Sequence, residues 1–321
     1  MFSGITTAHP VHHQFYAMGT TVDMWLWETE TSIAPYALKE AERIFENAEA
    51  QFSRFRPESE LSRLNHSAGR PFSASSELFQ LVALALKWRT RTAGLFDPTI
   101  LNALTHAGYD RSFELLEKPS AVNAISQSVA GNPTGFDIKL NEWQQTITFS
   151  NPMAKIDLGG IAKSWTAQKA LQYLAKYGAA MVDAGGDIVC TAPPTPLNPW
   201  LVGVENPFGA PTDSDTLLID GEAVATSSTA RRRWTHQGEP AHHIIDPRTG
   251  LPARTDCVSV TVVAPALPEA EIHAKVALIL GMEAGSSYLK QFPHISAQLI
   301  SENGTRLTAG SFEGKQICLQ K

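Results

Sequence analysis

The chain has 321 residues, 43% of them hydrophobic, which is enough apolar material for a substantial core. Its formal net charge is −6 and charges of both signs are spread along the chain, so we expect no nucleic-acid partner. No segment is long and apolar enough to predict a membrane span, and the three cysteines lack the C-x-x-C spacing of a zinc site.

The N-terminal residues come first in chain order. They contain no apolar stretch of signal-peptide length and no lipobox-like cysteine. An odd number of cysteines without a disulfide framework suits a reducing compartment. We therefore expect a cytoplasmic protein in which residues 1–14 form a tail ahead of a single domain at residues 15–321.

The first half of the chain predicts one strand and two long helices. Thr20–Trp27 is rich in β-branched and aromatic residues, which is typical of a strand. Apolar residues recur at steps of three and four in Ala34–Phe55 and again in Ser75–Arg91, so each segment predicts a helix with one buried face. The stretch from Ala93 to about Glu142 lacks a clear period, and we expect it to wrap the surface.

The second half predicts strands mixed with two helices, Ile161–Tyr177 and Glu269–Leu280. The predicted strands are Thr146–Ser150, Ala180–Ala184, Trp200–Glu205, Leu217–Ser227, Val258–Ala264 and Ala297–Ser301. Because strands and helices do not alternate regularly, the order favours an α+β fold over a doubly wound nucleotide-binding fold.

One segment, Ile156–Ser164, has the features of an anion site. A strand-like start leads through Gly159 and Gly160 into a helix, and such a junction offers backbone N–H groups and the positive end of a helix dipole. Lys163 adds a cation in the first turn, and Asp157 adds an acceptor. The alternative is a tight turn in which Lys163 simply faces solvent.

Three other segments contain candidate site residues. Two glycines and two acids stand in Val182–Ile188, although such a sequence is also typical of an ordinary turn. His242 and His243 precede a turn sequence, and a histidine there can act as a base near neutral pH. Glu271 and Lys275 share a helix face, either as a simple ion pair or facing a ligand.

These segments, taken in order, resemble the ApbE family of flavin transferases, from about residue 15 to about residue 290. The segments that carry the resemblance are Met18–Thr21, Phe55, Glu60–Asn65, Phe96–Thr99, Asp157–Lys163, Asp183–Asp187, Ala225–Ser227 and His243–Gly250. The resemblance implies an α+β fold with a sheet-and-helix, T-fold-like core and two lobes around a ligand cleft.

The resemblance also implies an activity, that of an FAD:protein FMN transferase. Such enzymes use Mg²⁺ to split the FAD pyrophosphate, attach FMN to a threonine or serine of a target flavoprotein and release AMP. Some members instead hydrolyse FAD to FMN and AMP, and a third hypothesis is a module that binds FAD without turnover. FAD and an unidentified acceptor flavoprotein are therefore the expected partners.

Site residues follow from the resemblance by motif. It assigns FAD contacts to Met18, Phe55, Leu95, Phe96, Asp97, Asp157, Lys163 and Ile245. Phe55 stands where the family often has a ring-stacking tyrosine, and Ile245 is expected to meet FAD through its backbone. His243, Lys163 and Asp157 are the residues implied to act at the reacting pyrophosphate.

The implied metal site departs from the family pattern. The family commonly has Ala-Asp-x-x-x-Thr where this chain has Glu271 and Lys275, and many members have threonine or serine where it has Gly160. The Gly160 carbonyl and Glu271 are the remaining candidate Mg²⁺ ligands, whereas an ammonium cannot bind a metal. Lys275 replaces the metal, or only pairs with Glu271 beside a weakened site, or marks a protein that binds FAD without transferring it.

Overall fold

The computed structural model describes residues 10–28, 33–116, 134–195, 198–209, 215–230, 233–236 and 239–317. The helices are α1 (Ala34–Phe52), α2 (Glu60–Asn65), α3 (Ser76–Arg91), α4 (Leu101–His106), α5 (Phe113–Leu116), α6 (Ala162–Leu174), α7 (Leu267–Leu280), α8 (Met282–Leu289) and α9 (Phe312–Lys315). The strands are β1 (Val11–Ala17), β2 (Thr20–Glu28), β3 (Phe72–Ser73), β4 (Ile138–Asn141), β5 (Thr146–Phe149), β6 (Gly178–Ala184), β7 (Ile188–Cys190), β8 (Trp200–Val204), β9 (Asp215–Ile219), β10 (Ala223–Ser228), β11 (Arg233–His236), β12 (Glu239–His242), β13 (Ile245–Asp246), β14 (Leu251–Pro252), β15 (Cys257–Ala264), β16 (Ser296–Ser301), β17 (Arg306–Ala309) and β18 (Gln316–Ile317).

An eight-stranded antiparallel sheet forms the centre of the fold, in the order β1-β2-β6-β7-β10-β15-β16-β17. All eight residues of β15 are buried, because this strand is covered on both faces. Its near-continuous apolar sequence is what such a position requires. Helices α1, α6 and α7 cover one face, where alanines and leucines of the helices pack on β2, β6 and β15 as the first core.

The opposite face of the large sheet is covered by a three-stranded sheet in the order β18-β9-β8. Trp200, Leu217 and Phe312 pack there against residues of β7 and β10. A second core lies beyond α7, where α2, α3 and the small sheet β3-β5-β4 enclose Leu61, Leu78 and other apolar side chains.

Helix α7 lies between the first and second cores. Ala270 and Ala274 pack into the first core, whereas Ile272 and Val276 pack into the second. A helix that is apolar on nearly all sides is typical of such a buried position. Met18 and Leu95 also pack against both cores, so the seam between the cores runs past the segments that the sequence analysis selected.

The α+β prediction is confirmed, since a mixed set of helices packs on mostly antiparallel sheets. The predicted tail requires correction, because β1 begins at Val11 and pairs with β2 along its whole length. The predicted single strand Leu217–Ser227 is two strands in different sheets, β9 and β10, separated by a turn at Gly221 with φ of 67°.

The segment from Ala93 to Glu142 is only partly without regular structure. It contains a 3-10 turn at Pro98–Ile100 and helices α4 and α5, while residues 117–133 lie outside the described residues. Among the residues that are described, no helix is long and apolar enough to cross a membrane. The predicted cytoplasmic location stays a prediction.

Candidate functional site

The turn before α6 is fixed in place by a side chain from one other motif and a backbone carbonyl from a second. The side-chain amide of Asn65 forms two hydrogen bonds with the backbone of Ile156, as a neighbouring strand would. Its Nδ2 donates to Ile156 O at 2.9 Å and its Oδ1 accepts from Ile156 N at 2.8 Å. The backbone N of Asp157 donates to Pro98 O at 2.8 Å. These buried hydrogen bonds hold Asp157 at the point where the Glu60–Asn65 and Phe96–Thr99 motifs meet.

Arg54 is the partner of Asp157. Its Nε lies 2.9 Å from Asp157 Oδ2, its Nη1 donates to Tyr109 O at 2.8 Å, and its side chain is only 8% exposed. Nη2 is buried and has no hydrogen-bond partner among the described residues. A desolvated guanidinium with a spare donor has a strong preference for an anionic acceptor, so Arg54 is a candidate phosphate contact.

Two aromatic rings pack against Arg54, and a third ring continues the row. Its guanidinium carbon lies 4.3 Å from the centroid of Phe55 and 4.6 Å from that of Tyr109. The Tyr109 ring is in turn 5.4 Å from Trp234, whose Nε1 donates to Ala107 O at 2.8 Å. Phe55 is 39% exposed and therefore leaves part of a ring available to a planar ligand.

Lys163 joins the two glycine-rich turns. Its Nζ donates to Ala184 O at 2.8 Å and forms an ion pair with Asp187, and the side chain is 16% exposed. The alternative of a Lys163 that faces solvent is therefore wrong. The ammonium lies in the first turn of α6, where the helix dipole also favours a negative ligand.

The second glycine-rich segment is a tight turn, as the ordinary interpretation predicts. Gly185 and Gly186 have φ of 68° and 91°, and Asp183 Oδ1 accepts from Gly186 N at 2.7 Å. Burial raises the pKa of Asp183, and the nearby carboxylates of Asp23 and Asp187 act in the same direction, whereas the Gly186 N–H and Lys163 oppose it. Asp183 is therefore more readily protonated than an ordinary aspartate.

The turn between β1 and β2 lies against this second turn. A Cβ on Gly185 would overlap Thr20 Oγ1, so the two turns are in close contact. Met18 has a left-handed backbone with φ of 52°, and its N–H donates to Glu49 Oε2 at 2.9 Å. Its side chain thus begins at the seam between the cores, and its contact with FAD stays a prediction.

The carboxylate of Asp97 is occupied by protein partners. Its Oδ1 accepts from Thr99 N at 2.8 Å and from Thr99 Oγ1 at 2.7 Å, and its Oδ2 lies 3.3 Å from Arg89 Nε. The side chain is 4% exposed and begins the 3-10 turn. Because this carboxylate is already engaged, the contact with adenosine predicted for Asp97 would have to come from the backbone of Leu95–Asp97.

Lys275 occupies the place predicted for a metal. Its Nζ donates to Gly160 O at 3.2 Å, lies 3.8 Å from Glu271 Oε1 and stands 5.8 Å from the centroid of Phe96. Both predicted metal ligands thus face an ammonium. No group of three or more His, Cys, Asp and Glu side chains within the described ranges is arranged to hold a metal. The donor set at Gly160 and Glu271 does not fit Mg²⁺, which prefers six oxygen ligands.

The two neighbouring histidines differ in their surroundings. His242 Nε2 donates to Ala253 O at 3.0 Å and its Nδ1 accepts from Ile244 N at 3.3 Å, which requires a neutral ring. Burial lowers the pKa of His242 in the same sense. His243 lies half-buried between β12 and β13, and its catalytic role stays a prediction.

The turn after β13 is connected to the Phe96–Thr99 motif through two consecutive residues. Thr134 Oγ1 donates to Pro247 O at 2.6 Å, and Gly135 N donates to Thr99 Oγ1 at 2.8 Å. The Ile245 side chain packs on Ala103 and Leu104 of α4, which leaves only its backbone to meet a ligand.

Several of these residues escaped the sequence analysis. Arg54, Tyr109 and Trp234 are the clearest cases. The pairing of Arg54 with Asp157 joins positions far apart in the chain, and no local spacing indicates it. The one available signal for Arg54 was its place next to Phe55, within a motif already selected.

Comparisons with known proteins identify a family that this chain resembles in sequence and in fold. The sequence model of the ApbE family matches residues 18–299. The chain is 29% identical over 254 residues to an FAD:protein FMN transferase of Klebsiella pneumoniae (strain 342), covering 77% of each chain. It is 30% identical over 299 residues to an FAD:protein FMN transferase of Treponema pallidum (strain Nichols), covering 85% of this chain and 80% of the relative.

The fold matches solved structures of the same family. The ApbE protein of Thermotoga maritima superposes with a TM-score of 0.82 at 25% identity, covering 97% of this chain and 100% of that one. The flavin transferase ApbE of Vibrio cholerae gives a TM-score of 0.78 at 24% identity and covers 96% of this chain.

Proposed function

Because the chain belongs to the ApbE family, we propose that it is an FAD:protein FMN transferase. In this reaction a hydroxyl oxygen of the acceptor protein attacks the phosphorus on the FMN side of the FAD pyrophosphate. A phosphoester bond forms, the bond from that phosphorus to the bridging oxygen breaks, and AMP leaves with the bridging oxygen. The hydroxyl proton passes to a base.

One observation carries the proposal, namely that three basic residues each contact or belong to the Asp157–Lys163 turn. Arg54 is bound to Asp157, Lys163 lies in the first turn of α6, and Lys275 donates to Gly160 O. A pyrophosphate needs its charge neutralised while the attacking oxygen is held in line. Cations from three separate elements around one helix N-terminus supply that environment.

Roles for the other residues follow from their positions. Phe55 and the neighbouring rings offer a stacking surface for a planar ring of FAD. Asp157 orients Arg54, and Lys163 holds the second glycine-rich turn through Asp187. His243 is the proposed base that accepts the hydroxyl proton, because a histidine titrates near neutral pH.

The acceptor is proposed to be a protein, as the name of the relatives implies for them. The family resemblance further implies a threonine or serine of a flavoprotein as the accepting residue. Mg²⁺ is not part of this proposal. Its expected ligands, the Gly160 carbonyl and Glu271, face the Lys275 ammonium instead of open space.

The test measures both products. The purified protein is mixed with FAD and the flavin-free form of a flavoprotein domain whose acceptor is a threonine, with the threonine-to-valine form of that domain as control. We expect AMP by chromatography and a fluorescent, covalently labelled band only with the threonine form. AMP without a labelled band would indicate hydrolysis, and tight FAD binding without AMP would contradict both enzymatic functions.

A further inference from the structure

We propose that Lys275 is a built-in cation of this site, so that the chain binds and splits FAD without a divalent metal. This inference rests on the proposed function, because it requires the FAD phosphates to reach the Asp157–Lys163 turn. It concerns two positions at which this sequence departs from the family pattern, Lys275 and Gly160, and these two residues contact each other.

The first argument is the way Gly160 accommodates the lysine. A Cβ added to Gly160 would overlap Lys275 Nζ. Because residue 160 has no side chain, the ammonium has room to lie where it donates to Gly160 O at 3.2 Å. A lysine that merely lay on the surface of α7 would not need this space.

The second argument is that Glu271 does not fully engage the lysine. The separation of 3.8 Å between Lys275 Nζ and Glu271 Oε1 is too long for a hydrogen bond. Glu271 Oε2 is buried without a hydrogen-bond partner in the described part of the chain. The carboxylate thus lies beside the ammonium, and the backbone of the turn holds the ammonium in position.

The third argument is the unused hydrogen-bonding capacity of the ammonium. It has three N–H donors, and within the described ranges Gly160 O is its single hydrogen-bond acceptor. The side chain is 19% exposed, so water reaches only part of it. A partly desolvated cation with spare donors favours an anion. Arg54, which contacts Asp157 of the same turn, also has a spare donor at Nη2.

The fourth argument is electrostatic. A divalent cation placed among Gly160 O, Glu271 and the turn would lie beside the Lys275 ammonium and be repelled by it. A single positive charge already located there performs the neutralisation that a pyrophosphate requires. The lysine and the metal are thus alternative occupants of one position.

The test compares ligands with and without phosphate. FAD and riboflavin are titrated into the unchanged protein and into Lys275→Met and Gly160→Ala, with binding followed by flavin fluorescence. We expect Lys275→Met to lose about tenfold or more in affinity for FAD, the effect of losing one charge-assisted hydrogen bond, and to keep its affinity for riboflavin. Gly160→Ala retains the charge but displaces it, so its FAD affinity should fall in the same direction. Lys87→Met, an exposed lysine on α3, is the control.

A second measurement uses Mn²⁺ as a probe of the metal site, followed by its electron paramagnetic resonance signal. We expect no Mn²⁺ binding to the unchanged protein, and AMP release that is the same in EDTA as in Mg²⁺. Tight Mn²⁺ binding, or AMP release abolished by EDTA, would overturn the proposal, as would FAD affinity unchanged in Lys275→Met. If FAD binding depends on Lys275 but no AMP forms, the proposed function fails while the lysine still serves as the phosphate cation.

Discussion

At the scale of single residues, the Arg54 guanidinium is the charged group of the site that is most closely surrounded by other side chains. It is buried between two aromatic rings, and its partner Asp157 is itself only 12% exposed. Removing one member of a buried ion pair leaves the other charge without compensation, and this usually costs about 3 kcal/mol or more. An exposed pair of the same type contributes little, because water replaces the partner.

We therefore expect Arg54→Met to lower the free energy of unfolding by about 3 kcal/mol and to weaken FAD binding. Chemical denaturation and flavin fluorescence would measure the two effects. Arg56→Met is the matched control, because Arg56 is 55% exposed and pairs with Glu49 at 2.7 Å. Equal losses of stability in both variants would contradict a buried, structurally essential Arg54–Asp157 pair.

His242 and His243 are predicted to differ in function although they are adjacent. His242→Ala removes two hydrogen bonds that shape the loop, so we expect a less stable protein. His243→Ala is expected to retain FAD binding and to lower the rate of AMP release by about 100-fold, as is usual for a lost general base. Single-turnover assays at saturating FAD would measure this, and an unchanged rate would remove His243 from the mechanism.

The sequence indicated individual site positions better than their partners. Asp157, Lys163 and Lys275 were selected from motifs, and all three lie around one turn. Their partners Arg54, Asp187 and Gly160 O come from other elements, and pairing across such distances is decided by packing and not by local spacing. The choice between a metal and Lys275 was left open for the same reason, since the sequence could not show that Lys275 reaches the Gly160 carbonyl.

At the scale of elements, helix α7 contains one buried histidine, His273. His273 is 1% exposed, its Nδ1 lies 2.8 Å from the Tyr288 hydroxyl, and Trp88 and Phe292 pack on its ring. Burial lowers the pKa of His273 to about 4, and the charges of His294 and Arg91 act in the same direction. The folded protein therefore keeps this ring neutral well below the ordinary pKa of 6.5.

Because the pKa of His273 is lowered in the folded protein, acidic pH destabilises the folded state relative to the unfolded chain. The unfolded chain binds a proton at His273 near pH 6.5, whereas the folded chain does so only near pH 4, so stability is lost as the pH falls through this window. The expected loss is on the order of 3 kcal/mol. Urea denaturation between pH 7.5 and about pH 4 would measure it. His273→Phe should show a smaller dependence on pH, and an identical dependence would assign the effect to other groups.

The periodic elements were predicted well and the paired ones less well. Helices α1 and α3 follow from apolar residues at steps of three and four. The first four residues of strand β1 were placed in the tail, and their position in the sheet depends on pairing with β2. The split between β9 and β10 depends on which sheet each joins, and this is a tertiary property.

At the scale of the whole molecule, the position of α7 joins the two main cores. Its residues contribute to both, and the segment from Ile156 to Ala162 extends along the second core before it becomes α6 in the first. A perturbation of either core therefore reaches the other through shared side chains. The α+β class was predictable from the mixed order of elements, whereas this shared helix was not.

We expect the protein to unfold in a single thermal transition, because neither core is complete without α7. FAD should raise the midpoint as a ligand that binds only the folded state, contributing about 2.7 kcal/mol at a concentration of 100 times its Kd. Calorimetry with FAD, riboflavin or AMP would measure the shift. Two separate transitions, of which FAD moves only one, would show that the cores are independent.

The contact between Gly160 and Lys275 also restricts how this lineage can have changed. With a threonine or serine at 160, a lysine at 275 would meet that side chain and have to move its ammonium from the position that it has here. A glycine at 160 therefore favours the present contact. Among relatives we expect lysine at this α7 position to occur together with glycine at the turn, and the two positions to be inherited as a pair.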